Sequence, residues 1–151
     1  MPPQISHASL DDLNLLSDLF DEYRVWYGQP SDRAAAHAFL QERLLLGESV
    51  ILLAHLNGVP AGFTQLYRSF SSVRMKRLWI LNDLFVRSEF RGQRVGVALL
   101  DAARDLAVQS GARGVALETA GDNLAAQRLY DHYGFRRSTG VHYLLEVGEP
   151  A

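Results

Sequence analysis

The sequence predicts a single α/β domain built on a mixed sheet, and three observations carry that prediction. The chain of 151 residues is 48% hydrophobic, enough to fill one ordinary core. Two strand-like runs in the first half are joined by Asn57-Gly58, a dipeptide suited to the positive backbone angles of a tight antiparallel hairpin. From residue 78 onward strand and helix patterns alternate, which calls for a parallel crossover in the C-terminal half. No repeat, low-complexity tract or linker divides the chain, so residues 1–151 are expected to fold as one domain.

In chain order, residues 4–8 read as a short strand. Ser9 with Asp11 and Asp12 then opens a helix whose apolar positions Leu13, Leu16, Leu19, Phe20 and Tyr23 recur at helical spacing, and Gly28, Gln29 and Pro30 end it. Ser31 or Asp32 starts a second helix to about Leu46, stopped by Gly47. Runs 49–55 and 60–67 flank the Asn57-Gly58 turn. The run 78–86 is apolar on both alternating faces except at Asn82 and Asp83, as expected of a central strand covered on both sides. Val95, Leu99, Ala102, Ala103 and Leu106 repeat helically until Ser110-Gly111. Residues 115–119 read as a strand, 123–133 as a helix closed by Gly134, and 135–137 with 141–147 as a final hairpin.

Composition excludes several classes of function. Lys plus Arg number 15 against 17 for Asp plus Glu, a net charge of -2, so no basic field recruits nucleic acid or an anionic membrane. Cysteine is absent, which removes disulfides, thiolate metal sites and a Cys nucleophile. The start Met1-Pro-Pro-Gln lacks the features of a signal peptide, and no apolar run approaches the roughly 18 residues of a membrane span, so a cytoplasmic protein is expected. The five histidines (7, 37, 55, 132, 142) show no metal-ligand spacing, and no metal is expected.

The segment Arg91-Gly92-Gln93-Arg94-Val95-Gly96 lies between a buried strand and the first turn of a long helix. Such a loop presents unpaired backbone N–H groups and the positive end of the helix dipole, and its small residues let an anion approach. Arg91 and Arg94 add fork-shaped donors. The segment matches neither a nucleoside triphosphate loop nor a dinucleotide loop, so it reads either as a turn with solvated arginines or as the seat of another phosphate-bearing cofactor. Downstream, Asn123 can cap its helix, Ala126 and Tyr130 share one face, and Gly134 supplies a left-handed stop.

Together these segments resemble the GNAT superfamily of N-acetyltransferases. Arg91-Gly-Gln-Arg94-Val-Gly96-Val-Ala-Leu99-Leu100 behind Leu84-Phe85-Val86 is similar to the family's Gln/Arg-x-x-Gly-x-Gly/Ala signature, and Asn123-x-x-Ala126-x-x-Leu129-Tyr130-x-x-x-Gly134-Phe135 to its second motif. The resemblance implies a mixed central sheet with antiparallel N-terminal strands and a parallel splayed pair in the C-terminal half, flanked by helices. It implies acetyl-CoA as co-substrate, with residues 91–96 on the pyrophosphate and Leu84, Phe85, Val86, Asn123 and Ala126 along the pantetheine. Tyr130 would face the sulfur as proton donor. Arg94 stands where the signature has its first glycine, so either its backbone angles are ordinary or the loop is rebuilt, and its side chain can reach a phosphate. The run Leu81-Asn-Asp-Leu-Phe-Val is also similar to the polyamine and histone-type subgroup, and the family resemblance implies a homodimer.

In the implied chemistry a neutral amine attacks the thioester directly, strand amides near Phe85 or Val86 stabilise the oxyanion, and coenzyme A leaves as a thiolate. Asp83 and Glu118 are the candidate bases, and Asp83 can equally be structural. Asp131 and His132 read as solvated. Tyr23, Trp26 and Tyr27 read as core packing, or else as the wall of a site for a cationic amine beside Asp18, Asp21, Glu22 and Asp32. The acceptor is then a small amine or polyamine, or a lysine side chain. The competing class is an acyl-CoA-binding sensor or partner domain without turnover.

Overall fold

The computed structural model describes residues 2–148, and these fall into two compact units divided after Glu118. The first unit holds a five-stranded sheet in the order β1-β2-β3-β4-β5. Strands β1 (Gln4–His7), β2 (Ser49–Leu56), β3 (Val59–Ser71) and β4 (Lys76–Val86) pair antiparallel in sequence order. The turn between β2 and β3 forms as its residues dictate, with φ of 53° at Asn57 and 77° at Gly58. Strand β5 (Val115–Ala116) adds in parallel to β4 through Trp79 and Ile80 alone. Beyond Ile80, β4 has no strand partner on that side among the described residues. This is the mixed, splayed sheet expected, with a much shorter β5 than the 115–119 run suggests.

Two helical layers cover the sheet. Ser9 closes a capping box over a 3-10 turn (Leu10–Asp12) that leads into α1 (Leu13–Trp26), and Asp32 caps α2 (Arg33–Leu45). Their apolar stripes bury Leu16, Leu19, Phe20, Ala36 and Leu40 against Ile51, Leu53, Phe63 and Phe85. Helix α3 (Val95–Gln109) packs on the opposite face, where Leu52 shares a groove with Ala98 and Leu106. Among the described residues no helix is long and apolar enough to cross a membrane.

A bulge in β4 explains the two polar residues inside its apolar run. Gln65 pairs with Asp83 and Leu66 with Leu81, which leaves Asn82 as an extra residue. One extra residue inverts the alternation of side chains. Upstream of it, Trp79 donates its indole N–H to Ser110 just past α3, at 2.9 Å. Downstream, Phe85 packs with Tyr23 and Phe63 in the α1 layer. Gly62 lets β3 approach closely there, since a Cβ at that position would collide with the Phe85 carbonyl oxygen.

The second unit contains α4 (Leu124–Tyr133), capped by Asn123 and ended by Gly134 at φ 117°. The hairpin expected over 135–137 and 141–147 is not formed: residues 135–148 hold no strand. Tyr143, Leu144, Leu145 and Val147 are all more than four-fifths exposed. Alternating apolar residues make a strand only where a neighbouring strand accepts their backbone, and among the described residues none pairs with these.

Candidate active site

The turn from β4 into α3 holds two residues with positive φ. Gly92 takes φ 75°, and Arg94 takes φ 65° and ψ 18°, the left-handed conformation that ordinarily calls for glycine. The angles of Arg94 are therefore not ordinary, and they are ones that a glycine adopts without strain. It is also the N-cap of α3, and its side chain makes no capping hydrogen bond. The first intrahelical bond runs from the Ala98 amide to the Arg94 carbonyl, so the amides of Val95, Gly96 and Val97 start the helix without intrahelical acceptors.

The two arginines of this turn differ. Arg91 donates from Nε to the Val86 carbonyl at 3.1 Å and lies over the Trp26 ring at 5.2 Å, which holds it toward α1. Beside it is a cleft of about 340 Å³ lined by Trp26, Phe85, Arg87, Arg91, Glu22 and Glu89. Arg87 ties β4 to α1 through Glu22 at 2.8 Å.

Asp83 lies deeper in the α1 layer, only 5% exposed. Its carboxylate accepts from Gln65 Nε2 at 2.7 Å, from Asn82 Nδ2 at 3.2 Å and from the Tyr23 hydroxyl. Gln65 in turn accepts from Ser49 Oγ at 2.8 Å, and Thr64 donates to the Asp83 carbonyl at 2.7 Å. Burial pushes the Asp83 carboxyl above its ordinary value, and the bonds from Gln65, Tyr23 and Asn82 oppose that push. Burial, and then the Asp83 charge, push the nearby Tyr67 phenol up to about 12.

In the second unit, Asn123 Oδ1 accepts from the Ala126 amide at 3.2 Å, so this helix start is closed by its own side chain. Tyr130 is half-buried and meets Phe135 edge-on at 5.6 Å. Asp131 pairs with Arg137 at 2.8 Å.

The family model for the acetyltransferase (GNAT) family matches residues 14–135, which takes in the Asp83 cluster, the loop 91–96 and α4. The chain belongs to that family. It is 49% identical over 144 residues to the uncharacterized N-acetyltransferase YhfO of Bacillus subtilis, covering 95% of this chain and 97% of that one. It is 33% identical to a probable acetyltransferase of Haemophilus influenzae over 62% of this chain and 64% of the other. A crystal structure of a probable acetyltransferase superposes with a TM-score of 0.92 at 40% identity, covering 97% and 99% of the two chains. At 22% identity the fold is shared with AAC(6')-Iy in complex with the bisubstrate analog CoA-S-monomethyl-acetylneamine, with a TM-score of 0.81 over 98% and 100% of the chains.

In this GNAT acetyltransferase the first unit brings Asp83, Leu84, Phe85 and Val86 onto the end of β4 that pairs with β3 but has no strand on the β5 side among the described residues, and a 3-10 turn (Ser88–Phe90) leads from there to the loop 91–96. The second unit gathers Asn123, Ala126 and Tyr130 on α4. Glu118 lies past the end of β5 and is exposed, so it does not stand on a strand as expected. The aromatic set divides. Tyr23 joins the core, whereas Trp26 and Tyr27 are 53% and 51% exposed, which overturns core packing for those two. The acidic wall is also corrected: Asp18 pairs with Arg33, Glu22 with Arg87, Asp21 bonds Ser31 and the Asp32 amide, and Asp32 caps α2. Sequence reasoning missed Gln65 and Ser49, although a glutamine inside the apolar run 61–66 is the same kind of signal that drew attention to Asp83.

Proposed function

We propose that this acetyltransferase moves an acetyl group from acetyl-CoA to a primary amine, with both substrates bound together. The observation that carries the reading is the start of α3, where a left-handed Arg94 makes no capping bond to the first-turn amides. That donor set suits a pyrophosphate. Residues 91–96 would hold it, the Arg94 side chain adding charge while Arg91 stays over Trp26. The backbone of Leu84, Phe85 and Val86, beyond the last β5 pairing, would bond the pantetheine amides as a missing strand would. Asn123 and Ala126 would line the same arm, and Tyr130 would give a proton to the departing sulfur. Acetyl-CoA itself supplies an activated thioester carbonyl.

Asp83 is favoured over Glu118 as the base because it is buried, its carboxyl is pushed up, and Tyr23 bonds it. A proton taken up at the Tyr23 oxygen while Tyr23 passes its own to Asp83 would relay charge inward from an acceptor amine. Among acceptors, a small amine, a polyamine and a lysine side chain all present that group.

The test is a thiol-release screen with acetyl-CoA across polyamines, amino acids, aminoglycosides and lysine peptides, run beside thermal melting. Acetyl-CoA raises Tm by mass action if it binds the folded state. Binding with no turnover on any amine would instead mark an acyl-CoA sensor. On the acceptor so found, Tyr130→Phe should slow single-turnover transfer by about 10²- to 10⁴-fold and leave acetyl-CoA affinity unchanged.

A further inference from the structure

The far end of the β3–β4 hairpin carries a surface that the acetyl-transfer reading does not use. Although the chain is acidic overall, the ten residues from Arg68 to Arg77 contain Arg68, Arg74, Lys76 and Arg77 and no carboxylate. All four cations are exposed, and no carboxylate among the described residues lies within ion-pair distance of them. Between the charges stand apolar side chains that turns ordinarily avoid: Phe70, Val73 and Met75 are 66%, 92% and 89% exposed. Met75 even adopts the left-handed φ of 53° to keep its place in the turn. Pairing of β3 with β2 ends at Tyr67, so in 68–71 the only strand partner is β4 among the described residues, and the other edge carries no strand. Arg68 marks the start of that edge, donating from Nε to the Gly47 carbonyl at 3.0 Å and lying over the Trp79 ring at 5.0 Å.

We propose that this hairpin is a docking site for an acidic polypeptide segment with interspersed apolar side chains, bound in extended form along the 68–71 edge. Charge complementarity fixes the sign of the partner, and the open strand edge fixes its form. Nucleic acid fits less well. Its single-stranded bases need aromatic faces, whereas Phe70 is the one aromatic at the tip and Arg77 already lies over it at 5.6 Å; Val73 and Met75 offer nothing to stack on. The loop 91–96 follows the opposite end of β4, so docking here does not depend on the acetyl-transfer reading.

The test uses the whole chain and fluorescence anisotropy with a labelled short peptide alternating glutamate and valine. Its lysine-valine counterpart and an oligouridylate serve as the other probes. The acidic peptide should bind best, and Arg74→Glu, Lys76→Glu and Arg77→Glu combined should weaken it by about tenfold or more. Val73→Ser with Met75→Ser should weaken it by roughly threefold. Both variants should keep the Tm and the acetyl-CoA-induced stabilisation of the parent, so a failure of the docking idea is distinguishable from a failure of the cofactor reading. No binding of the acidic peptide, binding indifferent to the charge reversal, or tighter binding of the oligouridylate would each overturn the proposal.

Discussion

Two polar centres of the first unit are finished in opposite ways. The Asp83 carboxylate receives Gln65, Asn82 and Tyr23, and Gln65 is satisfied in turn by Ser49, so the cluster is complete within the chain. The start of α3 gets no capping bond from its N-cap side chain, an arginine held in a glycine's conformation. An interior centre must be closed because an unpaired buried polar group costs about 1–3 kcal/mol. A helix start at the surface has no such obligation, and first-turn amides that lack intrahelical acceptors and a cap from the Arg94 side chain are suited to an anion from outside.

The sharpest way to break the comparison is to fill the uncapped end. Gly96→Val should lower coenzyme A affinity by roughly 100-fold, the equivalent of two charge-assisted amide bonds at about 1.5 kcal/mol each, with little change in Tm. Calorimetric titration reads the first and thermal melting the second. Equal affinity in the variant would remove the loop from the cofactor site.

The closed centre should respond in stability instead. Asp83→Asn leaves one of the carboxylate's three donors without an acceptor and should cost about 1–3 kcal/mol. Its pH dependence has a definite sign. Because the Asp83 carboxyl is raised above 3.8, the native state holds more protons than the unfolded chain between 3.8 and the raised value. Wild-type stability therefore falls as pH climbs through that window, and the deficit of Asp83→Asn should shrink as it does. Urea midpoints of both proteins across the acid range check this; a constant gap would mean that the carboxyl titrates normally.

Two smaller effects refine the contrast between helix starts. Asn123→Ala removes a cap that is present and should destabilise by about 1 kcal/mol, read from the urea midpoint. Arg94→Gly relieves the left-handed penalty, about 1–2 kcal/mol, and adds unfolded-chain freedom worth about 0.5–1 kcal/mol, for a net gain of about 0.5 kcal/mol. If the Arg94 side chain also meets a phosphate, the same variant gains stability while losing coenzyme A affinity.

Much of this was legible before the structure, and the reason differs by element. Helices α1 to α4 and strands β2 to β4 each carry their own period, cap or turn residue, so Asp32, Asn57-Gly58 and Asn123 act where the sequence places them. The loop 91–96 was legible because its letters occur between a strand and a helix. The polar cluster was only half visible: Asp83 stood out, but Ser49 and Gln65 lie 16 residues apart and meet only through strand pairing. The segment 141–147 shows the limit of pattern, since its alternation is strand-like and it pairs with no strand among the described residues.

The bulge at Asn82 gives β4 two phases. Upstream residues such as Trp79 keep time with α3, and Asp83 and Phe85 keep time with α1, so a change of volume under one layer is not relayed by alternation to the other. Removing Asn82 would merge the phases. The carboxylate, its Tyr23 bond and the ring beside the cleft would then all turn to the α3 side in a single step, which makes the one residue without a pairing partner the reference mark for everything downstream of it on the strand.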